Sequence, residues 1–183
     1  MIFLKKIVVH LQFLLKMQRL GSCVKYPFRN IQAANRIDFG KNILIKKDAW
    51  FACGPECKVK IGDNTRIGRN FIISGVGSSI TIEENVLMSE RVFITESLHN
   101  YTDAEQPVVG KGAISVGPVS IGADSWIGIN VCIMPNVRIG KHCLIGANAV
   151  VTKNIPDFSI AAGVPAKVKK QYDFDTKQWI KVS

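Results

Sequence analysis

The residue in this chain best suited to move a proton near neutral pH is His99, in the stretch ITESLHNYTD that runs from Ile94 to Asp103. An imidazole can take a proton from a hydroxyl near pH 7 and pass it on, a step that contributes roughly 100-fold to 10,000-fold to a rate. Glu96, Tyr101 and Asp103 flank His99 and are candidates to orient either the base or its substrate, and spacing does not choose among them. The five cysteines are Cys23, Cys53, Cys57, Cys132 and Cys143. An odd number, with one C-x3-C pair and no matching His or Cys pair nearby, reads as reduced thiols rather than a zinc site or a disulfide framework. Neither a Ser-His-Asp order nor a reactive-cysteine setting occurs. The chemistry this pattern supports is therefore direct attack by an acceptor, without a covalent intermediate on the protein.

What must position His99 is a repeat. Written in sixes from Ile121, the chain reads IGADSW, IGINVC, IMPNVR, IGKHCL, IGANAV, VTKNIP. Each line opens with a branched aliphatic, and the fifth position is small or apolar: Ser125, Val131, Val137, Cys143, Ala149, Ile155. The same beat appears upstream from Ile61 and Ile67 and, after a phase slip, from Ile82, Met88 and Ile94, with a weaker version around Ile37 and Ile43. A period of six fits neither an amphipathic helix nor a two-faced hairpin. It fits short strands separated by turns that wind into an all-β solenoid, with stacked aliphatics as its core. Between Ile94 and Ile121 the beat stops for HNYTDAEQPVVGKGAISVGPVS, and His99 stands at the root of that excursion. A rigid coil on one side and a reaching loop on the other is a placement that suits a base. His142 occupies the fourth position of IGKHCL, an outward corner, and reads as solvated; His10 lies outside the repeat.

A length of 183 residues suits one domain, divided here into a helical or irregular segment (1–36), a solenoid (37–168) with a loop protruding at about 99–118, and a C-terminal tail or short helix (169–183). The formal net charge of +10 points to an anionic partner. With no basic helix interleaved with aromatics and no RNP-like strand, nucleic acid is not expected, and a phosphate-rich cofactor or an anionic membrane face accounts for the charge. The opening MIFLKKIVVHLQFLLKMQRLG is interrupted by His10, Gln12 and Lys16 and is too short and polar to span a bilayer. As a helix it places Ile7, Leu11, Leu14, Leu15 and Met17 on one broad face, with Lys5, Lys6, Lys16 and Arg19 giving it a basic character. Packing on the body or on a neighbouring subunit is the first expectation for that face, and shallow membrane contact the second.

The run SWIGINVCIMPNVRIGKHCLIGANAVVTKNIPDFSIAAGVPAKV, Ser125 to Val168, resembles the C-terminal half of the hexapeptide-repeat acyltransferases, in particular the maltose, galactoside and nodulation acetyltransferase branch with its polysaccharide O-acetyltransferase relatives. The resemblance is specific from about residue 61 to 170. It implies a left-handed parallel β-helix of triangular section, a homotrimer, acetyl-CoA as co-substrate, no metal, and His99 as the general base at the start of the extended loop. It further implies a donor groove along the C-terminal coils. Trp126 falls beside the pantetheine arm, the Ile129 amide faces the thioester, and Ala147 contacts the pantetheine. Thr152 and Lys153 lie at the nucleotide end, with Lys167 and Lys170 near the phosphates. Asn70, in GRNF, matches a sugar-contacting asparagine.

The opening segment and the single-histidine loop depart from the maltose and galactoside pattern. They look more like enzymes of capsule, O-antigen or exopolysaccharide biosynthesis, which act at the cytoplasmic membrane face on nucleotide sugars or lipid-linked sugars. The expectation is thus a cytoplasmic, trimeric sugar O-acetyltransferase, peripheral at that face if the helix touches lipid. Its rivals are an N-acetyltransferase of a nucleotide-linked amino sugar and a non-catalytic β-helix scaffold. A metal-binding β-helix of the carbonic-anhydrase type needs three converging histidines, and only His99 lies in the right region.

Overall fold

The computed structural model describes residues 2–24 and 37–182, with side chains from 11–23 and 37–182. Residues 25–36, the rest of the expected irregular segment, lie outside the described residues, as do the side chains of Lys5, Lys6, Ile7 and His10.

From Asp38 onward the chain winds as a left-handed parallel β-helix with three sheets. Sheet I stacks Cys23–Val24, Leu44–Ile45, Arg66–Ile67, Leu87–Met88, Trp126–Ile127, Leu144–Ile145 and Ser159–Ala162. Sheet II stacks Trp50–Cys53, Ile72–Gly75, Phe93–Thr95, Cys132–Ile133 and Val150–Val151, and sheet III stacks Asp38–Phe39, Lys58–Ile61, Ser79–Ile82, Val119–Ile121 and Arg138–Ile139. The register puts like over like. In sheet II, Phe51, Ile73, Ile94, Ile133 and Val151 form one buried column. In sheet III, Phe39, Ile61, Ile82, Ile121 and Ile139 form another. The fifth hexad position also turns inward, so each hexad buries two side chains. Ser125, the one polar residue among the six named above, donates to the Gly140 carbonyl at 3.1 Å and accepts from the Cys143 amide at 3.0 Å.

Corners are made by residues that tolerate a left-handed backbone. Asn64, Asn70, Asn85, Asn130 and Asn148 have φ of 57, 54, 59, 58 and 60°. At the corner between sheets III and I, side chains of one such column form a ladder: Asn42 donates to Asn64 at 2.9 Å, Asn64 to Asn85 at 3.0 Å, and Asn85 to Asp124 at 2.9 Å. Glycine at the second hexad position lets successive corners touch, since a Cβ on Gly128 would lie 2.7 Å from the Ala147 nitrogen.

The three outer faces differ. Sheet I presents Leu44, Arg66, Leu87, Trp126, Leu144 and Ile160, and sheet II presents Trp50, Ile72, Phe93, Cys132 and Val150. Sheet III presents Asp38, Lys60, Thr81, Ser120 and Arg138. Sheet II is apolar along this column, sheet I is apolar except for Arg66, and sheet III is polar.

Both ends depart from the sequence expectation. Helix α1 (Ile2–Arg19) plugs the N-terminal end through Phe13 and Met17, which are buried. The Phe13 ring lies 5.8 Å from Phe39, which stands 6.2 Å from Phe51, itself 5.7 Å from Phe71. The expected apolar face is corrected in part: Met17 is buried and Leu14 half-buried as expected, but Leu11 and Leu15 are 54% and 53% exposed, because the packed stripe follows the i, i+4 pair of Met17 and Phe13, which the expectation left out. Among the described residues no helix is long and apolar enough to cross a membrane. The C-terminus is neither tail nor helix. Lys167–Asp173 and Gln178–Lys181 form an antiparallel hairpin that extends sheet I, with Tyr172 packed edge-on against Phe174 and Trp179 at 5.1 and 5.3 Å.

Ile133→Ala, in the middle of the sheet II column, is expected to cost about 2–5 kcal/mol through the cavity it leaves. A denaturant melt of the variant against the parent chain measures it.

Candidate active site

The excursion leaves the solenoid at the corner between sheets II and III. Ser97–His99 pairs antiparallel with Ala113–Ser115, so the excursion begins and ends as a two-stranded ribbon. His99 sits opposite Ala113, exposed at the outer end of the ribbon. The loop beyond is tied from within by Lys111, whose ammonium donates to the carbonyls of Asp103 (2.5 Å) and Gln106 (2.8 Å) and lies 3.8 Å from the Asp103 carboxylate.

The three residues flanking His99 now separate. Asp103 is engaged by Lys111 and by the Glu105 amide at 2.9 Å, and Tyr101 is exposed. Glu96 is 0% exposed. Its Oε1 accepts from the amides of Val76 and Gly77, the latter at 2.9 Å, and its Oε2 accepts from the Ser115 hydroxyl at 2.5 Å. Burial, the largest influence, pushes its carboxyl up, but the Ser115 hydroxyl and the Gly77, Val76 and Ser78 amides outweigh it and hold the group below its ordinary value of 4.5. Gly75 makes room for it, because a Cβ there would lie 2.8 Å from Glu96 Oε1.

His142 belongs to a different corner, between sheets III and I, and is exposed there as its hexad position suggests. Its Nδ1 stands 3.3 Å from Asp124 and its ring centroid 5.2 Å from that of Phe158, so it terminates the asparagine ladder. Cys143 is buried, and burial pushes its thiol above the ordinary value, away from the reactive thiolate.

The expected donor-site residues fall on two corners and one sheet. Trp126 lies on the outer face of sheet I, 48% exposed, its indole nitrogen donating to Ser89 Oγ at 3.2 Å. Ile129 and Ala147 sit one above the other at the corner between sheets I and II, linked where the Asn148 amide donates to the Ile129 carbonyl at 2.9 Å. The amides of Gly128 and Asn130 donate to Ile145 and Glu90. No partner is described for the Ile129 amide between them. Thr152 and Lys153 are exposed at the corner between sheets II and III, the corner that also carries the His99 loop. Lys167 pairs with Ala162, and Lys170 stands between Ile160 and Lys181. Asn70 sits at the sheet I–II corner with its side chain exposed, and its left-handed backbone is itself a reason for asparagine there. Within one chain, then, Asn70 and His99 lie at different corners.

Several partners were not legible in the sequence. Ser115 and the Val76–Gly77 amides meet Glu96 only because the loop folds back as a ribbon over the preceding coil. Lys181 faces Lys170 only because the C-terminus is a hairpin. Among the described residues no cluster of His, Cys, Asp and Glu could hold a metal ion.

Residues 118–153 match the family model described as bacterial transferase hexapeptide (six repeats). WbbJ of Escherichia coli, named for lipopolysaccharide biosynthesis as an O-acetyl transferase, is 32% identical over 79% of this chain and 76% of its own length. Galactoside O-acetyltransferase of the same organism is 32% identical over 74% of this chain and 66% of its own. A maltose O-acetyltransferase structure from Clostridium difficile is 29% identical, covers 86% of this chain and 73% of its own, and superimposes with a TM-score of 0.53. The chain belongs to the hexapeptide-repeat acetyltransferases, in the branch of the galactoside, maltose and lipopolysaccharide O-acetyltransferases. Matches can be partial: a Mycobacterium tuberculosis acetyltransferase, 39% identical, is covered over only 38% of its length.

Because the folded-state carboxyl of Glu96 titrates below 4.5, its contribution to stability is fully present above that pH and is lost as pH falls through the lower folded-state value. The gap in melting temperature between the parent chain and Glu96→Gln is therefore expected to be constant from pH 7 down to about pH 5 and to close below it, as thermal melts across pH 3–7 measure.

Proposed function

We propose that the chain transfers an acetyl group from acetyl-CoA to a sugar hydroxyl in the biosynthesis of a cell-surface polysaccharide, with His99 as the general base. The observation that carries this reading is the placement of His99: an exposed imidazole on a ribbon tied to a rigid corner, in a chain two of whose relatives are named as O-acetyltransferases. In the proposed reaction His99 takes the proton of the acceptor hydroxyl as its oxygen attacks the thioester carbon. The amide of Ile129 donates to the oxyanion that develops. Collapse of the tetrahedral species breaks the carbon–sulfur bond, and the imidazolium returns its proton to the departing thiolate.

Trp126 and Ala147 flank the pantetheine arm in this reading, Thr152 and Lys153 meet the nucleotide, and Lys167 and Lys170 face its phosphates. Asn70 contacts the acceptor. Because Asn70 and His99 occupy different corners of one chain, the two meet one acceptor only across subunits. The largely apolar outer faces of sheets I and II support such an assembly, a homotrimer in which those faces abut neighbours and sheet III stays wet.

We also place the protein at the cytoplasmic membrane face. The stripe of α1 that does not pack on the solenoid carries Leu11 and Leu15, Lys16 and Arg19 lie on the same helix, and α1 contains no acidic residue. Such a helix suits the interface of an anionic bilayer, where a lipid-linked acceptor is at hand.

His99→Ala is expected to lower acetyl-CoA turnover by about 100-fold or more while leaving acetyl-CoA binding intact, in a thiol-release assay against nucleotide sugars, amino sugars and oligosaccharides. Release supported only by an amino sugar moves the reading to N-acetylation, and no binding or consumption of acetyl-CoA by the parent chain rejects transfer altogether. Separately, the chain is expected to co-sediment with vesicles containing phosphatidylglycerol and not with pure phosphatidylcholine, and Leu11→Gln/Leu15→Gln is expected to weaken this by roughly 5-fold or more. Equal sedimentation of the double variant rejects the membrane contact.

A further inference from the structure

Glu96 is the one charged side chain that is buried among the described residues. Isolating a carboxylate from water is costly unless its oxygens are hydrogen-bonded, and an aliphatic column next to it offers nothing in return. Its position is specific. It is the residue at which the chain leaves sheet II, directly before the Ser97–His99 strand and three residues ahead of the base.

Five hydrogen bonds converge on it. The Glu96 amide donates to the Ser74 carbonyl at 3.2 Å, and the Val116 amide donates to the Glu96 carbonyl at 2.9 Å. The side chain accepts from Val76, from Gly77 at 2.9 Å and from Ser115 at 2.5 Å. Residues 74–77 belong to the preceding coil, and residues 115–116 are the strand on which the loop returns. One residue therefore joins the outgoing strand, the returning strand and the solid coil beneath them. The successive amides of Val76 and Gly77 form a small concave nest of the kind that holds an anion. The strand pairs run Ser97 with Ser115, Leu98 with Ile114 and His99 with Ala113, so the clamp closes one end of the ribbon and the imidazole rides at the other.

We infer that Glu96 is the positioning residue of the active site: its carboxylate fixes the angle at which the Ser97–His99 ribbon leaves the solenoid, and thereby the placement of the His99 imidazole relative to both substrates. The inference rests on the reading of His99 as the base. A ribbon released from its clamp swings about its root, and a displacement of about 1 Å at a reacting group can cost on the order of 100-fold in rate. Trp126, Ile129 and Ala147 lie away from the loop's corner, and Thr152 and Lys153, which share that corner, follow the Val150–Val151 strand of a later coil, so acetyl-CoA binding is not expected to sense the change.

The test is a double-mutant cycle on the full chain, reading kcat and the KM for acetyl-CoA, with melting temperature as a check of folding. Glu96→Ala is expected to lower kcat by about 10- to 100-fold with KM for acetyl-CoA within about 2-fold of the parent, and to lower it no further in a His99→Ala background, because Glu96 acts through His99. Glu96→Gln still accepts from both amides and can donate to a reversed Ser115 hydroxyl, so it is expected to recover most of the loss. Unchanged kcat in Glu96→Ala, or the same fold loss with and without His99, overturns the inference. If Glu96→Ala does not fold, Ser115→Ala, which removes one donor and leaves the coil intact, is put through the same cycle with the same criteria. Full activity of His99→Ala by itself marks the failure of the base reading, which takes the inference with it; loss in His99→Ala with a silent Glu96→Ala marks failure of the inference alone.

Discussion

The structure depends on one constraint: every coil hydrogen-bonds to the coil above and below it, in register, through parallel strands about 4.8 Å apart. That spacing leaves no freedom to shift one side chain without shifting its whole column. Hence a residue type that works at a hexad position in one coil works in the next, and the sequence is driven toward repetition. Glycine recurs where two corners touch, asparagine where the backbone turns left-handed, and isoleucine or valine where three sheets meet at the axis.

The same constraint explains why the chemistry is placed where it is. A solenoid that is satisfied on every side offers reactive groups only at corners, on outer faces, or in chain that has left the stack. Of the residues proposed for the site, Ile129 and Ala147 belong to the first kind and Trp126 to the second. His99 belongs to the third, and chain that leaves the stack loses the neighbours that had fixed it. The excursion replaces them with its own ties: a two-stranded ribbon, Glu96 at the root and Lys111 across the tip.

How much of this was legible follows from whether a feature obeys the period. The solenoid, its hexad frame and the interruption that carries His99 were readable, because each is a statement about recurrence or its failure. The choice among Glu96, Tyr101 and Asp103 was not, since it depends on the loop returning so that Ser115 meets Glu96. The packed stripe of α1 was read only in part, with Met17 placed and Phe13 missed, for a related reason. Phe13 and Met17 are selected by the wide aromatic end of the solenoid, where Phe39 and Phe51 stand in place of aliphatics, and the helix's own apolar pattern does not record that partner. Likewise, the strands at the C-terminus pair with each other and with Ser159–Ala162, outside the six-residue beat.

A stack of parallel strands has no intrinsic length. Its last coil offers the same unpaired backbone that the previous coil offered it, so a second molecule's first coil is in principle as good a continuation as any. In this chain the strand Lys167–Asp173 runs back antiparallel over Ser159–Ala162, and Ala166 donates to the Val150 carbonyl across the end of sheet II. At the opposite end α1 covers the opening with Phe13 and Met17. The reversal of strand direction and the helix thus act as terminators of polymerisation. They are what makes a periodic sequence, which by itself describes a fibre, into a stack with a fixed number of coils.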